Sequence, residues 1–395
     1  MAEKSDWASI LSAFLIGVAS AVQVGRIAPV ATLLQNDLRL DLLAIGWLVS
    51  LITAASAVLG LAAGYWVVRA GLRRSLIVGA LVIGVSALVS AGAAAVPVLI
   101  GARIIEGIGY LFVVVAAPTL IAREAAPKDT AGALALWGTF FTFGLSLAAF
   151  AGGALVDPLG WRGWFVVSAG LILLSVGLAF LSIPQDTRSE DTPTDLRRTF
   201  TDIPKAAWLL GAAFLGVTLL ALSILSLLPT FLVQEHGLTP SAAGGTTGGV
   251  ALASIAGSLC YGLLAHRVPE AGIATLAAGA LVAATVPTFA EGAMLDQIIP
   301  FAAAAVFMSG LLVAQTFAAV PRVAGASHLV GPSNGLVAQL GSVGALTGPP
   351  LIGALVASAG WAAVPVVAAA FAATFLLLFL LALRAQPAQS PETPA

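Results

Sequence analysis

In a chain of 395 residues with 59% hydrophobic and 9% charged side chains, charge falls far below the roughly 25% of water-soluble globular domains, so the solvent is a bilayer. The formal net charge of -1 gives no electrostatic case for nucleic acid, and the one cysteine, Cys260, excludes an intramolecular disulfide and a thiolate metal cluster.

Apolar runs able to cross a hydrocarbon core of about 30 Å as helices succeed one another between short polar breaks, and twelve are expected. Their approximate limits are 8–34, 44–68, 75–95, 97–121, 132–155, 163–183, 206–233, 242–265, 272–290, 298–320, 333–357 and 362–383. The first is too long for a signal peptide and has no convincing small-residue cleavage site after it. It carries Arg26 a little beyond its middle, with Gln23 one turn earlier on the same face and Pro29 one turn later. The loop after the second run reads Gly64, Tyr65, Trp66, Val67, Val68, Arg69, Ala70, Gly71, Leu72, Arg73, Arg74. The fourth run contains Arg103, Glu106, Gly107, Gly109 and Tyr110. Residues 184–205 are polar and rich in Pro, Thr, Asp and Arg, the composition of a linker between a bundle over 1–183 and a second over 206–385. In that second part Ser223, Ser226 and Thr230 form a helical stripe. Gln315, Asn334 and Gln339 add amides, and Gly344, Thr347, Gly348, Pro349, Pro350 and Gly353 form a Gly-Pro element. The Pro-rich end, 386–395, is expected to be a disordered tail.

The two parts are related by a shift of 200 residues. Gly144, Gly153 to Val156, Gly160 and Trp161 recur as Gly344, Gly353 to Val356, Gly360 and Trp361, and Pro29 and Leu38 fall on Pro229 and Leu238. Duplicated six-helix bundles around one central site suit alternating access. With the N-terminus in the cytoplasm, thirteen lysines and arginines collect on that side and only Arg39 and Arg162 on the other. That bias puts both termini and the linker in the cytoplasm, and a bacterial-type inner membrane is the expected location.

The loop at Gly64, Arg69, Gly71, Arg73 and Arg74 resembles the G-x-L-x-D-R-x-G-R-R element of the major facilitator superfamily, with Val68 at the family's acidic position and Leu72 at its first terminal arginine. Arg103 to Gly109 resembles the family's R-x-x-Q-G-x-G element, with Glu106 for glutamine. The resemblance implies an all-α membrane protein of twelve helices in two pseudo-symmetric bundles, helices 1, 4, 7 and 10 lining a central cavity, and one chain as the working unit. It implies a transporter. The Gly-Pro element of the family's proton-driven exporters belongs in the fifth helix, where this chain has Ala148 and Ala149.

Only Arg26, Arg103 and Glu106 carry charge well inside the predicted spans. A charge near the bilayer centre costs about 2.5 to 3.5 kcal/mol on insertion scales, so each demands a partner, a wet cavity or a function. Ser226 stands at the shifted position of Arg26, so the fold does not require that charge. Its planar donor fork suits a carboxylate or phosphate, and the expectation is that Arg26 holds a small organic anion. The structural alternative is a standing pair with Asp37 or Glu106, or snorkelling. Glu106, one helix turn from Arg103, is expected to exchange a coupling proton; the alternative is a static ion pair. Gln23, Tyr110, Ser226, Thr230, Gln315, Asn334 and Gln339 are candidate substrate contacts, against the commoner role of bridging helices. No cofactor or metal site is expected, and no nucleophile, base and orienter converge as an enzyme would need. Two further readings compete: a proton-driven exporter of drugs or apolar metabolites, and a membrane receptor that binds without translocating.

Overall fold

A computed structural model describes residues 4–126, 129, 133, 136–185, 202–265, 267–290, 292–325 and 327–386. Eleven apolar helical stretches among them are long enough to cross a bilayer. One of these, Phe140–Ser182, has 43 residues, about 65 Å at 1.5 Å per residue and twice the hydrocarbon thickness. Gly160, at φ 65° and ψ 178°, divides it, and the spans become twelve. In chain order they are α1 (Trp7–Leu38), α2 (42–70), α3 (Leu72–Ala91), α4 (Val96–Glu124), α5 (140–159), α6 (161–182), α7 (Lys205–His236), α8 (Pro240–Leu264), α9 (Glu270–Thr288), α10 (Leu295–Ala324), α11 (Ser327–Ala359) and α12 (Val364–Arg384). Several outrun the apolar stretches by a few residues, because a helix continues past the hydrocarbon wherever its carbonyls still find partners. Most of the segment expected as a linker, and nearly all of the expected tail, lie outside the described residues.

The shift of 200 residues survives in the backbone. Gly360, ahead of α12, takes φ 75° and ψ 174°, matching Gly160 in a region that only glycine enters cheaply. Each half has its own apolar core. One joins α1, α3, α4 and α6 through residues such as Ile16, Ile83, Val113 and Ile172, and the other joins α7, α9, α10 and α12 through residues such as Leu210, Leu281, Val320 and Phe375. Twelve crossings return the chain to its starting side, so both termini lie at one end of the molecule, the terminal end; the opposite one is the far end.

The halves meet along α2 against α11 and α5 against α8. The meeting lines are built of glycine. A Cβ on Gly46 would come within 2.5 Å of Pro349 O, one on Gly353 within 2.6 Å of Leu42 O, and Gly153 and Gly244 face each other so closely that a Cβ on Gly244 would be 2.7 Å from the Gly153 Cα. At the far tips of α1 and α7, Gln234 Nε2 donates to Gln35 Oε1 at 3.2 Å. These contacts seal the far end.

Neither α1 nor α2 is continuous. The first α-helical segment of α1 ends at Gly25, and a 3-10 turn, Ala28–Val30, precedes Ala31–Leu38. In α2, Leu42–Ser50 and Ala54–Ala70 are joined by a 3-10 turn at Leu51–Thr53. Their shifted counterparts, α7 and α8, are unbroken, even with Pro229 inside α7.

Candidate functional site

The two breaks converge on Arg103. A helix end leaves carbonyls without intrahelical partners, and Arg103 supplies donors to both: Nε to Leu48 O at 2.6 Å, Nη2 to Val49 O at 3.1 Å, and Nη1 to Gln23 O at 2.7 Å. A cation at two helix C-termini also meets the negative ends of their dipoles. Arg103 Nη1 further donates to Glu106 Oε2 at 2.8 Å, and Arg26 Nη2 donates to Glu106 Oε1 at 2.6 Å. Arg26 Nη1 donates to Gln23 Oε1 at 2.6 Å, and its guanidinium lies 4.4 Å from the centre of the Phe165 ring. Gln23 Nε2 donates to Ser168 O at 2.8 Å, while Trp164 Nε1 donates to Arg26 O at 2.9 Å. All three charged groups are shut off from solvent.

This network belongs to the interior of the first half. Its partners come from α2, α4 and α6, and Ser90 Oγ of α3 lies 3.5 Å from Glu106 Oε1. The face of α1 turned to the second half carries Gly25 and Ala28 instead. With Leu145 and Ala149 of α5, Leu225 and Ser226 of α7, and Thr247 and Ala251 of α8, they line a cavity of about 10 Å³, room for about one water-sized group. Of the two pairings weighed for Arg26, the structure forms the one with Glu106. Asp37 Oδ2 accepts from Trp161 Nε1 at 2.7 Å, which makes Trp161 a buried tie at the far end.

The remaining candidates are dispersed. Ser226 lines the shared cavity, and Thr230, one turn along α7, has a buried hydroxyl without a partner among the described residues. Ser223 Oγ turns back to Leu219 O at 2.6 Å. Tyr110 is buried in the apolar core of the first half. Gln315 Nε2 donates to Glu270 O at 2.7 Å, beside the Arg322 to Glu270 ion pair at the terminal end of α9 and α10. Gln339 Nε2 reaches across the halves to Ala57 O at 3.0 Å, and Asn334 is half-buried on α11. In the loop between α2 and α3, Gly71 adopts φ 96°, and Arg73 Nη2 donates to Phe180 O at 2.9 Å with its guanidinium against the Phe180 ring. The conformation at Gly71 explains the glycine of the Gly64 to Arg74 element.

Sequence reasoning did not single out Trp164, Phe165, Leu225 or Thr247. A signal existed for the first two: the shifted positions hold Val364 and Pro365, so both aromatics, like Arg26, depart from the duplicated pattern. Leu225 of α7 is half-buried against the apolar cluster built mainly from the first half, as are Val115, Trp137 and Phe141.

The sequence profile of the Major Facilitator Superfamily matches residues 10–337, and the chain belongs to that family. The chain is 29% identical over 181 residues to the drug efflux pump JefA of Mycobacterium tuberculosis, a match covering 42% of this chain and 35% of that protein. The first curated relatives are thus matched over only about a third of their length. The 3-(3-hydroxy-phenyl)propionate transporter of Escherichia coli is 25% identical over 87% of this chain and 85% of its own. A bacterial homologue of the human lysosomal transporter Spinster, solved inward-facing and unoccupied, superposes with a TM-score of 0.83 over 99% of this chain and 100% of its own, at 16% identity. The likeness to the Spinster homologue is one of fold.

Proposed function

We propose that the protein moves solutes with an apolar, often aromatic, body through the passage between its halves, and that Arg26, Glu106 and Arg103 brace the first half. The observation that carries this reading is the turn of α1: Gly25 and Ala28 look into the shared cavity, while Arg26 looks back to Glu106, Gln23 and Phe165. An anion site at Arg26 would need the guanidinium to leave all three. The relatives support an apolar body too, since one is named for drug efflux and another for a phenyl-bearing acid. The uneven distribution of lysine and arginine supports cytoplasmic termini.

The test is the melting of purified protein with 1-naphthol, 1-naphthoate and tetraphenylphosphonium set against acetate and inorganic phosphate. Ligands that bind only the native state raise stability with concentration. The aromatic probes should stabilise whatever their charge, and the 1-naphthoate shift should persist in Arg26→Gln. Stabilisation by acetate or phosphate alone, lost in that variant, would overturn the reading in favour of an anion site. Proton exchange at Glu106 requires a guanidinium to withdraw from it. A Glu106→Gln protein that folds and still answers an imposed pH gradient in liposomes removes Glu106 from coupling.

A further inference from the structure

Hydroxyls on the helices of this protein mostly satisfy themselves on their own backbone. Ser20 donates to Ile16 O, Ser223 to Leu219 O, Thr288 to Ala284 O and Thr316 to Leu312 O, the usual solution where water is absent. Thr247 departs from this habit: it is 2% exposed and its Oγ1 has no partner among the described residues. Ser226, 3% exposed, makes no hydrogen bond among the described residues. The two come from α8 and α7 of the second half, and both line the cavity closed on the other side by Gly25 and Leu145 of the first.

Depth and size narrow what belongs there. At 1.5 Å per residue, Thr247 lies about 10 Å inside α8 from Pro240 and Ser226 about 15 Å inside α7 from His236, so the cavity approaches the midplane, where transporters of repeated halves bind their solutes. Its volume of about 10 Å³ admits one oxygen-sized group. Two hydroxyls can together donate one hydrogen bond and accept another, the complement of an alcohol or phenol. Among the described residues no charged side chain lines the cavity, so a carboxylate or ammonium entering it would find no counter-charge there. The rest of the lining, Gly25, Ala28, Leu145, Ala149, Leu225 and Ala251, is apolar, surface for the body of a solute.

Resting on the reading of an apolar-solute passage, we infer that Thr247 and Ser226 form the polar end of the solute site and bind one neutral hydroxyl group of the transported molecule. The test titrates 1-naphthol and naphthalene against the parent, Thr247→Val, Thr247→Ser and Ser226→Ala, read as melting shifts. Valine copies the shape of threonine without its hydroxyl, and serine keeps the hydroxyl. The parent should prefer 1-naphthol by about tenfold, the order of one buried hydrogen bond. Thr247→Val should reduce that preference to about twofold or less with naphthalene affinity unchanged, Ser226→Ala should reduce it partly, and Thr247→Ser should preserve it. A Thr247→Val protein that keeps the parent's preference, or a parent that binds naphthalene as well as 1-naphthol, overturns the inference and leaves the passage standing. If neither ligand shifts the parent, the passage reading falls, and the inference with it.

Discussion

The crossing of α1, α2 and α4 and the crossing of α7, α8 and α10 occupy equivalent places in the two halves, yet they are held in different ways. Where the first half has Gln23, Arg26, Arg103, Glu106, Trp164 and Ser168, the second has Ser223, Ser226, Ala303, Val306, Val364 and Ala368. The charges occur where the helices break, and their counterparts are apolar or small where the helices run through. The contrast teaches that duplication preserves the path of the chain while leaving open what fills the crossing. Arg103 and its partners compensate for interrupted helices. They are not a requirement of the fold.

The comparison breaks hardest at Glu106. Glu106→Gln leaves two buried guanidinium groups without a carboxylate and should cost about 3–5 kcal/mol, read as a fall in the unfolding midpoint of detergent-purified protein. The double change Arg26→Ser with Glu106→Val installs the residues of the second half and keeps Arg103 on its carbonyls. It should cost about 1–3 kcal/mol, less than the single change, because no unpaired charge remains on Arg26 or Glu106; an equal or larger loss would show that the network does more than brace. Gly160→Ala and Gly360→Ala sharpen the part that is alike. A Cβ at either meets nothing within 4 Å, so the penalty is backbone strain alone, about 1–3 kcal/mol and alike in both halves. Gln234→Ala, which removes one exposed bond between the far tips, should change stability by less than about 1 kcal/mol.

The twelve spans and the division into halves were legible because bilayer thickness and helix rise leave little freedom, and because Gly160 and Gly360 mark the same turn twice. The interruption of α2 was not. Leu51, Ile52 and Thr53 contain neither proline nor glycine, and the donors that make the break affordable sit on Arg103, some fifty residues on. Sequence depth identified Arg26, Arg103 and Glu106 as buried charges needing partners, and it raised the Arg26 to Glu106 pair as one possibility. It could not say which way Arg26 turns, since a one-residue rotation separates the cavity face of α1 from its inner face. Thr247 stayed hidden for a related reason: a threonine in a membrane helix ordinarily bonds its own backbone, and only packing reveals one that does not.

The glycine seam at the far end bears on motion. Where Gly153 meets Gly244 and Gly46 meets Pro349, backbone lies on backbone, with amides already bonded inside their own helices. Parting such surfaces uncovers few methyl groups and strands few hydrogen-bonding atoms, so little adhesion has to be overcome. Interlocking leucines would make the same boundary a cement line; glycines make it a joint with low friction, able to open and reseal many times without repacking either half.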